Sequence, residues 1–481
     1  MPESADRQRW LALYLLCLGE LMIVLDTTIV NVALPSIRES LRFSETSLVW
    51  VVNAYMLTYA GFLLLGGRLG DFYGQRRVFL LGLTLFTLAS LGCGLANSQE
   101  LLIAARAVQG LGGAVVSAIA LSLIMNLFSE PGEQAKAMGV YGFVCAAGGS
   151  IGVLLGGALT NALDWHWIFL VNLPIGVVVY ALCLALLPND RGQAGTGRLD
   201  VAGAVTVTLS LMLAVYAIVN GNEAGWVSTQ TICLLSGAAA LFALFLGIEA
   251  RVSKPLMPLG MFRLRNIAVA NVIGVLWAAG MFAWFFISAL YMQLVLGYSP
   301  LQVGLAFLPS NLIMAAFSLG LSAKIVMRFG LRPPIAAGML LAAIGLALFA
   351  LAPVDGTFVV HVLPGMSLLG LGCGMALNPV LLAAMGDVGP EDSGLASGIV
   401  NTAFMMGGAL GLAVLASLAA ARSEALLAAG SAIPAALTGG YHAAFGVGAL
   451  FAAAASLIAA LLRTETADQK RNLPCASTTA G

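Results

Sequence analysis

Long apolar runs separated by short polar segments are the dominant pattern of this chain. A run of about 20 mostly apolar residues is long enough for a helix to cross a bilayer, whereas the strands of a membrane barrel are shorter and alternate in polarity. The runs here do not alternate, so they predict an all-α, polytopic membrane protein. Fourteen transmembrane helices are expected, at residues 10–34, 47–67, 78–97, 100–125, 137–160, 167–187, 200–219, 228–248, 267–292, 302–322, 334–352, 357–382, 394–420 and 440–462.

The composition agrees with a chain that is solvated mainly by lipid. Of its 481 residues, 60% are hydrophobic and 9% are charged, whereas about a quarter of the residues in soluble domains are charged. Lys and Arg together number 22, as do Asp and Glu, so the chain has no positive surplus to hold nucleic acid. The sequence contains no phosphate-binding glycine loop and no metal-ligand spacing, so we expect no cofactor and no metal.

The basic residues of the loops predict the orientation of the chain. If the amino terminus is cytoplasmic, the inner segments hold 18 Lys and Arg residues and the outer segments hold three. Because positively charged loops stay on the cytoplasmic side, both termini are expected to be cytoplasmic.

A short internal repeat predicts duplicated halves. Residues 65–82 match residues 321–338 at an offset of 256, which aligns Gly74 with Gly330 and Gly82 with Gly338. The offset corresponds to eight spans, and duplicated halves are typical of secondary transporters. The predicted division is an amino-terminal tail at 1–9, a six-helix bundle at 10–187, two inserted helices with their loops at 188–266, a second six-helix bundle at 267–462 and a carboxy-terminal tail at 463–481.

Three charged residues, Glu20, Asp26 and Arg106, lie deep in the predicted spans. An intramembrane charge costs a few kcal/mol on insertion scales, so it is rarely kept without a partner or a task. Asp26 and Arg106 lie about 12 Å and about 9 Å from the outer ends of their spans, so an ion pair or a shared water pocket is expected. Asp26 is interpreted as the proton carrier and Arg106 as the group that tunes it. The alternative is a static pair that joins two helices.

Glu20 lies about 120° from Asp26 around the same helix and shares a face with Asn31. The two acids therefore need not face the same place. Glu20 is a candidate for a second proton site or for binding a cationic substrate. It could also be a neutral, hydrogen-bonded glutamic acid.

Six motifs occur along the chain: LDTTIVNVALP (25–35), GRLGDFYGQRR (67–77), RAVQGLGGA (106–114), GGSIGVLLGG (148–157), WHWIFLVNLPIG (165–176) and YMQLVLGYSPLQVGLAFLP (291–309). Together they resemble the major facilitator superfamily, specifically its fourteen-span drug–proton antiporter branch, over nearly the whole chain. Val153 departs from the proline that is common in the fifth-span motif. Met327 stands at the position that repeats Asp71, so the second copy of the loop motif lacks the acid.

The resemblance implies the major facilitator fold with a 6+2+6 arrangement, and it implies roles for two further groups. The loop motif would form an ionic latch that holds the outward-open state, with ordinary positive-inside charge as the alternative. Its residues are Asp71, Arg68, Arg76 and Arg77. The fifth-span motif is associated with antiport, and its glycines are expected to pack closely against the opposite half and to limit proton leak. They are Gly148, Gly149, Gly152, Gly156 and Gly157.

Aromatic and amide side chains in the spans are weaker candidates for substrate binding. Trp277, Trp284 and Tyr291 recur every seven residues and could present a stripe to a flat or cationic molecule. Packing or interface anchoring is the more common role of membrane aromatics. Amides that could touch substrate or hydrogen-bond helices together are Asn53, Asn311, Asn378 and Asn401, and Asn31 is a further weak candidate for substrate binding.

Taken together, these features predict a proton-driven efflux transporter rather than an enzyme. It would export amphipathic or cationic small molecules, such as antibiotics or antiseptics, across the inner membrane of a bacterium by alternating access and so confer resistance. Its expected partners are that substrate, protons and membrane lipid, and a monomer is expected. A carrier of a metabolite, siderophore or lipid is the main alternative. A membrane enzyme fits less well because the three histidines are scattered, and a receptor would leave Asp26 and Arg106 without a role.

Overall fold

The computed structural model describes residues 2–128, 130–187, 200–252, 255–317, 321–385 and 393–462. This part of the chain contains sixteen α-helices and no strand. In chain order the helices are α1 (Pro2–Leu41), α2 (Glu45–Tyr73), α3 (Gln75–Gly94), α4 (Gln99–Leu127), α5 (Pro131–Ala162), α6 (Trp167–Leu170), α7 (Asn172–Leu186), α8 (Val201–Ala224), α9 (Thr229–Glu249), α10 (Arg265–Leu290), α11 (Pro300–Ala316), α12 (Ser322–Phe329), α13 (Arg332–Phe349), α14 (Leu363–Met385), α15 (Ser393–Ala428) and α16 (Ile433–Ile458). Two π-helical segments, Tyr291–Val295 and Phe358–Val362, follow α10 and precede α14.

The predicted apolar runs coincide with these helices. Within the described ranges, twelve helices are long and apolar enough to cross a membrane. The two remaining predicted spans are 137–160, which lies inside α5, and 302–322, of which α11 covers the first part as a shorter apolar helix. The first helix is longer than its predicted span of 10–34, because α1 begins at Pro2 and ends at Leu41. A helix of 40 residues is about 60 Å long, about twice the thickness of the hydrocarbon core.

The helices form two bundles that meet along two seams. In the first bundle, α2 and α3 pack against α4, and α1 packs against α5 and α7. In the second bundle, α10 packs against α15 and α16, α13 packs against α14 and α16, and α11 packs against α14. The bundles contact each other where α2 meets α15 and where α5 meets α11. The helices α8 and α9, which correspond to the predicted inserted pair, form a hairpin whose α8 packs against both α2 and α15.

Within the described ranges, side-chain hydrogen bonds of Asn53 and Gln293 cross between the bundles. The amide nitrogen of Asn53 in α2 donates to the carbonyl oxygen of Ala409 in α15 at 2.9 Å, and Asn53 is fully buried. The amide of Gln293, which follows α10, donates to the carbonyl oxygen of Val32 in α1 at 2.9 Å. Burying an amide is costly unless it is hydrogen-bonded. Of the two predicted roles for Asn53, the structure therefore favours holding helices together.

The internal repeat is visible in the backbone at the ends of two helices. Gly74 follows α2 with a φ of +92°, and Gly330 follows α12 with a φ of +76°. Their N–H groups donate to the carbonyl oxygens of Gly70 and Val326, respectively, and so end the two helices in the same way. A residue with a side chain would be strained at a positive φ, which explains glycine at both places.

Gly82 and Gly338, which the repeat also aligns, lie at matching helix crossings. A Cβ on Gly82 in α3 would lie 3.2 Å from the carbonyl oxygen of Gly112 in α4. A Cβ on Gly338 in α13 would lie 2.7 Å from the carbonyl oxygen of Gly372 in α14. Each pair of glycines lets two helix backbones approach closely. The shared crossing supports a duplicated origin of the two bundles.

Three glycines of the fifth-span motif face α1 in their own bundle. A Cβ on Gly156 would lie 2.6 Å from the carbonyl oxygen of Ile29, and one on Gly152 would lie 3.1 Å from that of Leu25. Gly148 faces the same helix one turn earlier. Close packing is present, but its partner here is α1 rather than the opposite bundle.

Gly157 faces the opposite bundle. A Cβ there would lie 2.6 Å from the carbonyl oxygen of Pro300, at the start of α11. A matching contact lies one turn away on each helix, where α11 supplies the glycine and α5 the carbonyl oxygen. A Cβ on Gly304 of α11 would lie 2.9 Å from the carbonyl oxygen of Val153 in α5. In contrast, Gly149 has open space around the position of a Cβ. The expected seam between the bundles therefore involves Gly157, near the carboxy-terminal end of α5.

We expect Gly156→Ala to destabilise the protein, because the added Cβ would lie 2.6 Å from a backbone oxygen. Overpacking of this kind costs about 1–3 kcal/mol. Gly149→Ala is the matched control on the same helix, since its Cβ would meet nothing within 4 Å and alanine favours a helix by up to about 1 kcal/mol. Thermal unfolding in detergent should show a lower midpoint for Gly156→Ala only. Equal midpoints would contradict the close packing of α5 on α1.

Candidate functional site

Asp26 and Arg106 form a buried ion pair between α1 and α4. The Nη1 atom of Arg106 donates to Oδ2 of Asp26 at 2.5 Å. The side chain of Asp26 is 0% exposed and that of Arg106 is 1% exposed. The structure therefore brings together the two charges whose similar depths suggested a pair. Removing either partner would leave an uncompensated buried charge, which is strongly unfavourable.

The second carboxylate oxygen of Asp26, Oδ1, accepts hydrogen bonds from two amides. Gln109 in α4 donates at 2.7 Å and Asn172 in α7 donates at 3.0 Å. Both amides also donate to the hydroxyl oxygen of Ser90 in α3, at 2.8 Å and 3.4 Å. The side-chain oxygen of Gln109 in turn accepts from Nη1 of Arg106 at 2.7 Å. We call these five residues the Asp26 network.

The guanidinium of Arg106 makes further contacts that replace water. Its Nε donates to the carbonyl oxygen of Val51 in α2 at 2.9 Å. Its central carbon lies 4.3 Å from the ring centroid of Tyr55 and 5.6 Å from that of Phe169. Aromatic faces attract a cation, more strongly when water is excluded. Arg106 thus connects α1, α2 and the α6 segment to α4.

The geometry restricts how a proton could reach Asp26. Each hydrogen bond to its carboxylate comes from a group that only donates at that nitrogen, namely Arg106, Gln109 or Asn172. These donors occupy three of the roughly four lone-pair positions of the carboxylate, two on Oδ1 and one on Oδ2. The remaining position is on Oδ2, beside Arg106, so a proton bound there would weaken the ion pair.

Three members of the network, Ser90, Gln109 and Asn172, are absent from the residues that the sequence patterns predicted. A signal was available for two of them. Gln109 follows Arg106 by three residues and so shares its helix face. Asn172 is an amide inside the apolar motif WHWIFLVNLPIG.

Glu20 lies in different surroundings from Asp26. It is 5% exposed, and its neighbours include Ser117 of α4 and Tyr141 of α5. Among the residues that the structure describes, its Oε2 atom has no hydrogen-bond partner. The two acids of α1 thus face different places, as their angular separation predicts.

The structure places the basic residues of the predicted latch at the joined ends of α2 and α3. Arg68 is half-buried and Arg77 is exposed. Arg76 donates from Nη2 to the carbonyl oxygen of Leu184, in the last turn of α7, at 2.8 Å. Basic side chains are favourable at the carboxy-terminal ends of helices. The side chain of Asp71 lies outside the described part of the chain, so the latch itself stays a prediction.

A cavity of about 150 Å³ lies within the second bundle. Trp277 of α10 and Asn401, Phe404 and Met405 of α15 line it, and the rest of its wall comes from apolar side chains of α10, α13, α14 and α15. Its lining, apolar with one amide and two aromatic side chains, is of the kind found at small-molecule sites, whereas its volume is below the roughly 300–1,000 Å³ typical of them. Trp277 is the member of the predicted aromatic stripe that reaches this space.

The other two aromatic residues of the stripe are packed inside the second bundle. The ring of Trp284 lies edge-on to that of Phe307, with 5.7 Å between the ring centroids. The hydroxyl of Tyr291 donates to the carbonyl oxygen of Pro353 at 2.7 Å. These contacts match the packing alternative that the sequence left open.

Two of the amides predicted as possible substrate contacts, Asn31 and Asn311, are buried in different bundles. Asn31 is 8% exposed, and its amide donates to the carbonyl oxygen of Thr27 in the preceding turn of α1 at 3.3 Å. Asn311 is 3% exposed in α11. The structure does not bring them together.

Comparison with known proteins finds relatives that are named for antibiotic resistance or antibiotic export. It is 38% identical to the puromycin resistance protein of Streptomyces alboniger over 97% of this chain and 94% of that protein. It is 40% identical to the cephamycin export protein of Amycolatopsis lactamdurans over 84% of each. Identity to the lincomycin resistance protein of Streptomyces lincolnensis is 36% over 86% of this chain and 85% of that protein.

Solved structures share the fold at lower identity. A proton dependent oligopeptide transporter superposes with a TM-score of 0.66 at 17% identity, covering 94% of this chain and 98% of that one. The sequence profile of the Major Facilitator Superfamily matches residues 16–412. The chain therefore belongs to the major facilitator superfamily, whose members are membrane transporters rather than enzymes.

Proposed function

We propose that this protein is a fourteen-span drug–proton antiporter that exports amphipathic or cationic small molecules, such as antibiotics, from a bacterium and confers resistance. The relatives named for puromycin, cephamycin and lincomycin, which match most of its length, support export of an antibiotic-like molecule. The excess of Lys and Arg in alternate loops supports a location in the inner membrane with both termini in the cytoplasm. The protein acts as a monomer in lipid.

In this proposal, α5 and the α11–α12 pair complete the fourteen spans. The first six-helix bundle comprises α1 to α7, with α6 and α7 together forming one span, and the second comprises α10 to α16. The hairpin α8–α9 supplies the two inserted spans. The proposed boundaries are those that the sequence predicts, at residues 10–187, 188–266 and 267–462.

The single observation that carries proton coupling is the fully buried Asp26 carboxylate, held by Arg106 and two amides. A proton on Asp26 removes the charge that Arg106 pairs with. Arg106 must then find another partner, because an unpaired buried cation is unfavourable. Loading a proton therefore shifts the preference between the helix arrangement seen here and one in which the network opens, which is the requirement for alternating access.

The contacts between bundles indicate which side is closed. Gly157, near the end of α5, packs against Pro300 at the start of α11. The amide of Gln293, which follows α10, donates a hydrogen bond to the carbonyl oxygen of Val32 in α1. In the proposed orientation these helix ends face the outside. This arrangement is then the one closed to the outside, and substrate enters from the cytoplasm.

We assign the loop and glycine motifs supporting roles in the same cycle. When the cytoplasmic side closes, the latch would form through ion pairs between Asp71 and nearby arginines. These arginines are Arg68, Arg76 and Arg77. The glycines of α5 let this helix pack tightly on α1 and α11, which limits leakage of protons between the bundles.

Glu20 is proposed as a second proton site or as the group that meets a cationic substrate. It is buried beside Ser117 and Tyr141, and one of its carboxyl oxygens has no partner among the described residues. A proton or a cation would satisfy that oxygen. The cavity beside Trp277 is proposed to take the apolar part of the substrate, with Asn31 and Asn311 as weaker contacts.

The proposal is tested with Asp26→Asn in everted membrane vesicles. Substrate added to energised wild-type vesicles should dissipate the pH gradient, and a panel of lipophilic cations and antibiotics identifies the substrate. The variant should lose this activity by at least about tenfold, because asparagine cannot carry the proton. Asp164→Asn, an exposed acid 53% accessible at its side chain, is the control. Normal efflux by folded Asp26→Asn protein would disprove the assignment and favour the static pair.

We expect Arg106→Lys to fail although it keeps the positive charge. A lysine ammonium cannot reach Asp26, Gln109 and the Val51 carbonyl oxygen together, as the forked guanidinium does. Each lost hydrogen bond to a charged group costs about 1.5–3 kcal/mol. The melting temperature and the efflux rate should both fall, whereas the exposed Arg422→Lys should change neither. Wild-type values for Arg106→Lys would show that a positive charge alone suffices.

We expect Trp277→Ala to weaken substrate binding without uncoupling transport. Loss of an aromatic contact of about 1.4 kcal/mol corresponds to a tenfold change in affinity. The substrate concentration for half-maximal gradient dissipation should rise by about this factor, while the maximal rate is retained. Trp167→Ala, at a site that is 47% exposed, is the control. An unchanged concentration dependence would remove the cavity from the substrate path.

A further inference from the structure

Two buried carboxyl groups meet at one end of the α8–α9 hairpin. Asp200 immediately precedes α8 and is 5% exposed, and Glu249 is the last residue of α9 and is 3% exposed. One carboxyl oxygen of each side chain lies against the same position, that of a Cβ on Gly203. Neither residue belongs to the Asp26 network.

Each carboxyl group uses one oxygen for a backbone contact. Oδ1 of Asp200 accepts from the N–H group of Gly203 at 2.8 Å and so caps α8. Oε2 of Glu249 accepts from the N–H group of Met257 at 3.0 Å, which ties α9 to the segment that leads into the second bundle. The other two oxygens, Oδ2 of Asp200 and Oε1 of Glu249, are buried and have no donor within the described part of the chain.

The glycine at position 203 leaves room for these two oxygens. A Cβ on Gly203 would lie 2.5 Å from Oδ2 of Asp200 and 2.9 Å from Oε1 of Glu249. Both unpartnered oxygens are therefore directed into one small space against the first turn of α8. Any other residue at 203 would push the two carboxyl groups out of this space.

Among the described residues, no basic side chain donates a hydrogen bond to either of the two facing oxygens. Arg68 lies near the end of α2, which packs on α8, and is half-buried, and Arg251 follows α9 and is exposed. Among the described residues, Asp200 is the charged group that acts on Glu249. The basic residues of this region whose structure is not described are Arg198 and Lys254.

The charged residues of α15, which also packs on α8, lie at the other end of the hairpin. Arg422 and Glu424 follow Ser417, whose carbonyl oxygen accepts from Asn222 near the end of α8. Asp200 is at the opposite end of that helix. No acid or base on the described part of α15 therefore faces the pair.

Two ionised carboxylates in such a space would repel each other, because water does not screen them there. A proton bound to one of the two facing oxygens removes one negative charge and gives the other oxygen a hydrogen-bond donor. Carboxyl pairs that share one proton in this way are well established in proteins.

We propose that Asp200 and Glu249 form a proton-binding site that holds one shared proton at the foot of the inserted hairpin. This proton joins the start of α8 to the end of α9 and, through Met257, to the segment that leads to α10. Its loss at higher pH would place two negative charges together and loosen these attachments. The site is separate from proton-coupled transport and does not depend on it.

Two conservative variants test the site. In Glu249→Gln the amide oxygen can accept from Met257, while the amide nitrogen takes the place of Oε1 and donates permanently to Asp200. In Asp200→Asn the amide oxygen can accept from Gly203, while the amide nitrogen takes the place of Oδ2 and donates to Glu249. Asparagine remains a good cap for α8. Each variant therefore keeps the backbone contact and replaces the shared proton by a fixed donor.

Infrared spectra of the purified full-length protein, recorded as the pH is raised, detect protonated carboxyl groups directly. We expect one carboxyl signal to be lost from both single variants, and the double variant to lack that same signal only. The control is Glu223→Gln, an exposed acid at the other end of α8, which should keep the signal. If neither single variant removes a signal, or if each removes a different one, the proton is not shared and the proposal is wrong.

Thermal unfolding gives a second, independent readout. The melting temperature of the wild type should fall as the pH rises from about 4 to about 7, the interval between the ordinary pKa of a glutamate and the raised pKa of buried Glu249. The fall should be smaller by about 2 °C in either single variant, whose attachment does not depend on a proton. Equal falls in the wild type and both variants would overturn the proposal. The efflux result for Asp26→Asn has no bearing on this outcome, since the measurement needs neither substrate nor a gradient.

Discussion

The contact between Asp26 and Arg106 is the constraint around which the first bundle is arranged. Two opposite charges in a lipid-solvated protein are tolerated only together and only if their remaining hydrogen-bonding capacity is filled. The protein fills it with Gln109, Asn172 and a backbone carbonyl, and the groups involved come from four helices, α1, α2, α4 and α7. A change in the charge of either partner therefore acts on the packing of the whole bundle.

Glycine is the second device that the fold depends on. Apolar surface gains little by leaving lipid for another helix, so close packing supplies much of the attraction between membrane helices. In both bundles, paired glycines bring backbones close where α3 crosses α4 and where α13 crosses α14. On α5, the adjacent glycines Gly156 and Gly157 face two different neighbours, α1 within the bundle and α11 across it. The helix is thus positioned between a fixed partner and one that belongs to the other bundle.

The sequence predicts most of the architecture because hydropathy and loop charge are local signals. It also predicts the meeting of Asp26 and Arg106, since charged residues in apolar spans are rare and their depths can be compared. The amides Gln109 and Asn172 escaped prediction because a neutral polar residue in a span has many possible partners, and only the three-dimensional arrangement selects one. The direction that each α5 glycine faces could not be predicted either, as it depends on which neighbour lies at that depth.

Two residues of α2 that are only two positions apart, Val51 and Asn53, form hydrogen bonds to other helices. The carbonyl oxygen of Val51 receives a hydrogen bond from Arg106, and the side chain of Asn53 holds the carbonyl oxygen of Ala409 in the second bundle. Two residues of a helix rise by about 3 Å, so both attachments sit on nearly the same level. When the guanidinium of Arg106 moves and tilts this short stretch, the hydrogen bond from Asn53 transmits the tilt to α15. Because the main chain accepts the bond at both places, side-chain variation at 51 and 409 would leave this linkage in place.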